Sequence, residues 1–283
     1  MESVQRTTVV GFVLATCLIS AARAETRKEL RFTVGPHANV SVDSQYGKIS
    51  VKPGSAGQVV VIATLQSAKA EVDDLQKGNR IEVGSHLLAG ADSQSGRVDY
   101  EVSVPLDATV YVRSSTGPLT AEGLQGDLTL EGADASVDVR NVSNGHVHIK
   151  TIGGPITVTN VHNGHVEIAS LSGNVRLSAV TGPLVQVNSN SGKISYDGNF
   201  GSGGDYDFTT HTGDIDALVP ADASADFSAH SMQGQVQNEF PLQPKTHNRF
   251  AAEAGRSFFG TVGKAASEVV MRSFSGKIRL KLR

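Results

Sequence analysis

The chain predicts an all-β fold: a single-domain β-solenoid, or β-helix, with coils of about 19 residues that each carry two short strands. Three observations lead there. Residues 122–197 fall into four similar lines of 19 residues, EGLQGDLTLEGADASVDVR, NVSNGHVHIKTIGGPITVT, NVHNGHVEIASLSGNVRLS and AVTGPLVQVNSNSGKISYD. Each line splits into two halves, a turn followed by a run alternating apolar and polar. Thirty glycines against nine prolines suit a turn-rich β protein.

The middle lines match best, with Asn141/Asn160, Val142/Val161, Asn144/Asn163, Gly145/Gly164, His146/His165, Val147/Val166, Ile149/Ile168 and Gly154/Gly173 coinciding. In a strand, alternate side chains face opposite ways. Val147, Ile149, Ile156 and Val158 therefore point inward, while His146, His148 and Lys150 point outward. Val166, Ile168, Val175 and Leu177 repeat the inward set, as do Val185, Val187, Ile194 and Tyr196. Two short strands cannot bury such a face alone, but stacking like on like at about 4.8 Å gives two sheets around a continuous core. Gly145, Gly154, Gly164, Gly173 and Gly192 then mark the corners, where positive φ is expected. The alternative is an antiparallel β-meander or sandwich, because Asn144-Gly145 and Asn163-Gly164 are hairpin signals. The constant register favours the stack.

In chain order, residues 1–24 read as a signal peptide. Arg6 precedes the apolar run from Val9 to Ile19, and Ala22-Arg23-Ala24 forms the cleavage site. The only cysteine, Cys17, lies in that run and is read as part of it rather than as a lipid anchor. Cleavage leaves residues 25–283 as one elongated β-repeat domain, most regular over 117–220, with no thiol for disulfides, catalysis or zinc. It also removes Arg6, Arg23 and Glu2, leaving 23 basic and 27 acidic residues from the original 25 and 28. A net charge of −4 offers no footprint for nucleic acid, and no later run is long enough for a membrane span. From Leu30 to Val34, Asn39 to Asp43 and Lys48 to Val51 the pattern alternates as strands do. Val59 to Ala63 reads as a strand buried on both faces. Ala68 to Lys77 is the one helical candidate, with Val72 and Leu75 on one face. Arg80 to Val83, Val98 to Val104 and Thr109 to Arg113 resume strands. Beyond the repeats, Phe208, Ile215, Leu218 and Val219 are core candidates, Phe227 to His230 and Val236 to Phe240 are strands, and Val269 to Leu280 closes the chain around a Ser-Gly turn.

The segment from Val104-Pro105 through Thr109-Val110-Tyr111-Val112-Arg113 to Gly117-Pro118-Leu119 resembles the core motif of the DUF4097 family, whose common name is adhesin. The ending Phe274-Ser275-Gly276-Lys277-Ile278-Arg279-Leu280 is similar to that family's strand-turn-strand repeats. The resemblance covers most of the chain after residue 24. It implies a β-solenoid-like, exported or membrane-attached protein and supplies no catalytic residues.

Stacking puts Asp127, His146 and His165 at one outward position, and Thr129, His148 and Glu167 at the next. His146, His148, His165 and Glu167 would form a square of roughly 5 by 7 Å, a candidate for zinc or another divalent metal. Asp205, Asp207, Asp214 and Asp216 resemble one copy of a calcium-binding repeat. There is neither a G-x-S-x-G elbow nor an H-E-x-x-H motif. The expected function is therefore non-enzymatic and cofactor-free: an exported periplasmic, cell-envelope or extracellular interaction or structural module, with adhesion as one use, whose partner is an envelope protein or polysaccharide. The alternative is a carbohydrate-binding or polysaccharide-active protein on the same scaffold.

Overall fold

The structure, a computed structural model, describes residues 25–244 and 255–283. The expected signal peptide, Cys17 included, lies outside the described residues. The N-terminal strands are β1 (Thr26–Thr33), β2 (Asn39–Tyr46), β3 (Ile49–Pro53), β4 (Gln58–Leu65), β5 (Ala70–Lys77), β6 (Arg80–Leu87) and β7 (Val98–Val104). The regular part comprises β8 (Thr109–Thr116), β9 (Leu119–Glu122), β10 (Leu128–Asp134), β11 (Val137–Ser143), β12 (Val147–Thr151) and β13 (Ile156–His162). It continues through β14 (His165–Ser170), β15 (Val175–Thr181), β16 (Leu184–Ser189), β17 (Ile194–Asp197), β18 (Asp205–Thr210) and β19 (Ile215–Val219). The last strands are β20 (Ala225–Ser231), β21 (Val236–Asn238), β22 (Gln243–Pro244), β23 (Ser257–Val262), β24 (Ser267–Ser273) and β25 (Ile278–Leu282).

These strands form two open sheets. Sheet A has 12 strands in the order β1-β4-β7-β3-β9-β11-β13-β15-β17-β19-β25-β21, and sheet B has 13 in the order β22-β23-β20-β24-β18-β16-β14-β12-β10-β8-β2-β6-β5. Successive strands of the repeat alternate between the sheets, so the chain runs out along one and back along the other. Val147 pairs with Val166 and Ile149 with Ile168 in parallel register, as do Ile156 with Val175 and Val158 with Leu177. The solenoid reading holds, and the hairpin alternative fails within the repeat. Asn144-Gly145 links β11 of sheet A to β12 of sheet B rather than joining neighbours.

Coil order in space departs from chain order at both ends. The stack runs β6/β7, β2/β3, β8/β9, then in sequence to β18/β19, then β24/β25, and last β20/β21. The final coil of the chain is thus inserted between two earlier ones. Antiparallel strands close the ends: β4 on β7, β1 on β4 and β5 on β6 at one, β23 on β20 and β22 on β23 at the other. One apolar cluster fills the space between the sheets from Phe32 to Leu280. Burying each Val, Leu or Ile of that cluster contributes roughly 1.5–3 kcal/mol.

Four expectations need correction. Ala68–Lys77 is not helical: residues 70–77 are β5, paired antiparallel with β6 through the two-residue turn Gly78-Asn79. Val72 faces inward and Leu75, three residues on, faces out with 44% exposure. The unpaired edge of β6 outweighs a weak helical pattern. Val59–Ala63 buries one face only, since Val60 and Ile62 of β4 stay partly exposed near the sheet's end. Leu218 lies outside the core, while Ala217 and Val219 take the inward positions.

The fourth concerns the corner glycines. Gly145, Gly154, Gly164, Gly173 and Gly192 are not at positive φ; Asn144 (φ 61°) and Asn163 (φ 57°) carry the left-handed conformation instead. The glycines are there for proximity. A Cβ on Gly164 would stand 2.2 Å from the Gly145 carbonyl oxygen, and one on Gly173 would stand 2.0 Å from that of Gly154. Each corner carbonyl sits where the next coil's side chain would begin.

A second left-handed position recurs inside the sheet A strands, at Asn141 (φ 55°), Asn160 (φ 57°) and Ala179 (φ 51°). Each is skipped by the pairing on either side, as in a bulge. The Asn160 amide donates to Asn141 Oδ1 at 2.6 Å, and Asn141 donates to Glu122 at 3.2 Å. Alanine has no local hydrogen bond to offset the left-handed backbone. Ala179→Asn should therefore stabilise the protein by about 1 kcal/mol, raising the thermal midpoint by roughly 2–4 °C. An unchanged or lower midpoint would contradict this.

Candidate functional site

The outward ladders exist as the register requires: Thr129 pairs with His148, and His148 with Glu167. The four proposed metal ligands form two pairs. The His146 and His165 rings stack face to face with centroids 4.5 Å apart and planes 13° apart. His148 Nδ1 lies 3.5 Å from Glu167 Oε2. Stacked imidazoles present their nitrogens side by side, whereas zinc needs donors converging on a tetrahedron. Among the described residues no group of three or more His, Cys, Asp or Glu is placed to hold a metal ion. The backbone N–H of His146 is instead bound to Asp127 at 2.9 Å.

The four aspartates read as a calcium repeat are divided between the sheets, and Asp207, Asp214 and Asp216 are already partnered. Asp205 and Asp207 are on β18 of sheet B, and Arg272 holds Asp207 at 2.7 Å. Asp216 is on β19 of sheet A, where Arg279 binds both it and Asp214 and Lys193 reaches it at 2.6 Å. Burial pushes the Asp216 carboxyl up, but hydrogen bonds from Arg279 and Lys193 and their charges outweigh that and hold it below its usual 3.8. Its contribution to stability is present above that value and is lost on acidification.

At the β5–β6 end, His86 sits between two carboxylates, with Nδ1 2.6 Å from Asp73 and Nε2 3.2 Å from Glu71. The hydrogen bond to Asp73, then its charge, then Glu71 raise the imidazole above 6.5. A raised pKa means that the pairing is complete below pH 6.5 and disappears as pH climbs through the folded value. The His86 ring should titrate above 6.5 by NMR and move back toward that value in Asp73→Asn. A titration unchanged by the substitution would contradict this.

One surface feature escapes the repeat analysis. Five strands of sheet B, β14, β16, β18, β20 and β24, end in a buried hydroxyl followed three residues later by a corner glycine: Ser170/Gly173, Ser189/Gly192, Thr210/Gly213, Ser231/Gly234 and Ser273/Gly276. The hydroxyl accepts from the glycine N–H in the last four, at 2.9, 3.1, 3.0 and 2.8 Å. The residue after the hydroxyl is forced outward. In stack order, with β12 preceding, those residues are Ile152, Leu171, Asn190, His211, Phe274 and Met232. Ile152, Leu171 and Met232 are 55%, 53% and 55% exposed, and the His211 ring stacks on Phe274 at 4.7 Å. Together with the outward ends of the sheet B strands, this row walls a shallow groove along one corner. Lys150 and Arg113 line one part of it, Asn188 the middle, and Thr209 and Arg272 another part. The signal was available in sequence as a recurring S/T-x-x-G, visible once each line is read from its corner.

A solenoid of two facing sheets, with glycine corners and outward ladders, defines a class of repeat protein. The Toastrack DUF4097 family profile matches residues 37–281, and the chain belongs to that family. No curated protein matches the chain. Among solved structures, one described as a "putative cell adhesion protein" from Clostridium sporogenes is 14% identical, covering 91% of this chain and 100% of its own, with a TM-score of 0.27. At that score the two backbones do not superimpose as a whole, and the likeness adds nothing to a functional reading. No helix among the described residues is long and apolar enough to cross a membrane.

Proposed function

We propose that this protein is a non-enzymatic, exported interaction module of the cell envelope or cell surface, adhesive in character, whose solenoid is a rigid platform. The observation that carries this reading is the pairing of outward polar side chains along the stack. Asn160 binds Asn141, His148 faces Glu167, Arg272 holds Asp207 and Arg279 holds Asp214, each from a neighbouring coil. Such groups present a flat, pre-organised surface that meets a partner over an area. Purified protein incubated with a panel of envelope polysaccharides should release no product. Turnover on any of them would overturn the reading.

A specific observation favours a second reading, carbohydrate binding without cleavage. The His211–Phe274 ring pair stands at the corner groove beside Thr209. Ring faces next to hydroxyl and amide groups are the chemistry that holds a sugar. Calorimetric titration with soluble glycans tests it: binding by wild type that His211→Ala abolishes supports it, and no heat with any glycan removes it.

A further inference from the structure

The two ends of the solenoid are unlike. At the β20/β21 end the outermost strands are three and two residues long, β21 in sheet A and β22 in sheet B. At the other end both are eight residues long, β1 in sheet A and β5 in sheet B. Among the described residues each has one pairing partner, β4 for β1 and β6 for β5. Their outer backbone groups form two long, parallel open edges facing the same way. Their charges are opposite: β1 carries Arg27, Lys28 and Arg31 against Glu29, while β5 carries Glu71, Asp73 and Asp74 against Lys77. Between them Leu30 and Val72 are only partly buried, so the apolar core is incompletely covered here. Attraction between the edges already operates within one chain, where Lys28 Nζ reaches Asp74 at 3.1 Å and the Val72 carbonyl at 2.9 Å.

We infer that this end binds a second copy of the chain head to head, β1 of each copy against β5 of the other. The strand directions permit it. β1 runs antiparallel to β4, which runs antiparallel to β7, so β1 follows β7. β5 opposes β6, and β6 and β7 run opposite ways as the two arms of one coil. β1 and β5 therefore point the same way. A two-fold axis along the strands exchanges the sheets and lays basic β1 beside acidic β5, parallel like the coils themselves. A two-fold normal to the sheets would set β1 against β1 and β5 against β5, like charge on like. Charge selects the first. The joint is isologous, closes both edges at once and covers Leu30 and Val72. It goes beyond the interaction-module reading and does not rest on it.

The test is sedimentation velocity of the full chain, expressed with its leader, over a range of concentration. The wild type should be a dimer. Arg27→Glu/Arg31→Glu leaves both edges acidic, and Glu71→Lys/Asp73→Lys leaves both basic. Each double variant should weaken self-association at least tenfold, and mixing the two should restore a heterodimer. That restoration also shows that both variants fold. A wild type that stays monomeric at every concentration, a mixture that stays monomeric, or open-ended filaments would each overturn the proposal.

Discussion

Phe208→Ala is expected to cost about 3–5 kcal/mol, enough to remove most of the margin of an ordinary domain. Phe208 is fully buried on β18, with the Tyr196 ring 5.4 Å away. Tyr196 stacks on Phe200 at 4.6 Å, and Phe200 meets Tyr206 and Phe227 edge to face at 5.0 and 5.4 Å. Elsewhere in the repeat the inward positions hold Val, Ile, Leu and Ala, with small hydroxyls at strand ends; this aromatic cluster lies where the regular coils meet the inserted one. Phe208 pairs with Met271 of β24, so the cavity left by alanine would open between β18 and the inserted strand. Denaturant unfolding should show a large loss of midpoint for alanine and a much smaller one for Phe208→Leu. Equal, small losses would mean that the cluster does not hold the insertion.

Gly173→Ala is expected to cost about 3 kcal/mol or more, at the upper end of overpacking effects. The added Cβ would stand 2.0 Å from the Gly154 carbonyl oxygen and 2.9 Å from that of Gly153. Both obstacles are backbone, so no rotamer relieves them. Separating the coils there would stretch the bonds from Ser172 N–H to Ile152 (2.9 Å) and from Leu171 N–H to Thr151 (3.1 Å). The informative contrast is Gly84→Ala, where the nearest atom to the new Cβ is the Asp43 carbonyl oxygen at 3.7 Å. That substitution should be neutral or mildly stabilising, because alanine loses less backbone entropy on folding. Thermal midpoints of the two variants should differ by roughly 6 °C or more. Similar midpoints would show that the corners yield, and that glycine is not required by proximity.

Gly173 also shows how far sequence reasoning reaches. Its place at a corner followed from the 19-residue register, but its reason did not. Positive φ is a local property and is what a turn glycine suggests; the actual constraint is a carbonyl 19 residues earlier, brought within reach by stacking. The same holds for the histidines. Register placed His146 beside His165 and His148 beside Glu167 correctly, whereas the ring orientations that separate them into two pairs depend on side-chain packing. The groove side chains were missed because Ile152, Leu171 and Phe274 look like interruptions of the alternation until their preceding hydroxyls are known to face inward.

The sequence by itself determined the solenoid, its in-register parallel coils and the inward residues of the repeat, since those follow from a period and from the two faces of a strand. Only the tertiary structure decided which coil lies on which. Inward Val269, Met271, Ile278 and Leu280 could cover any coil whose strands present apolar residues at matching positions. A parallel stack is nearly degenerate in the order of its layers, because each coil offers the next much the same surface. The end strands follow the same logic. β5 became a strand because β6 had an open edge to fill, a demand that arises only once the coils are assembled.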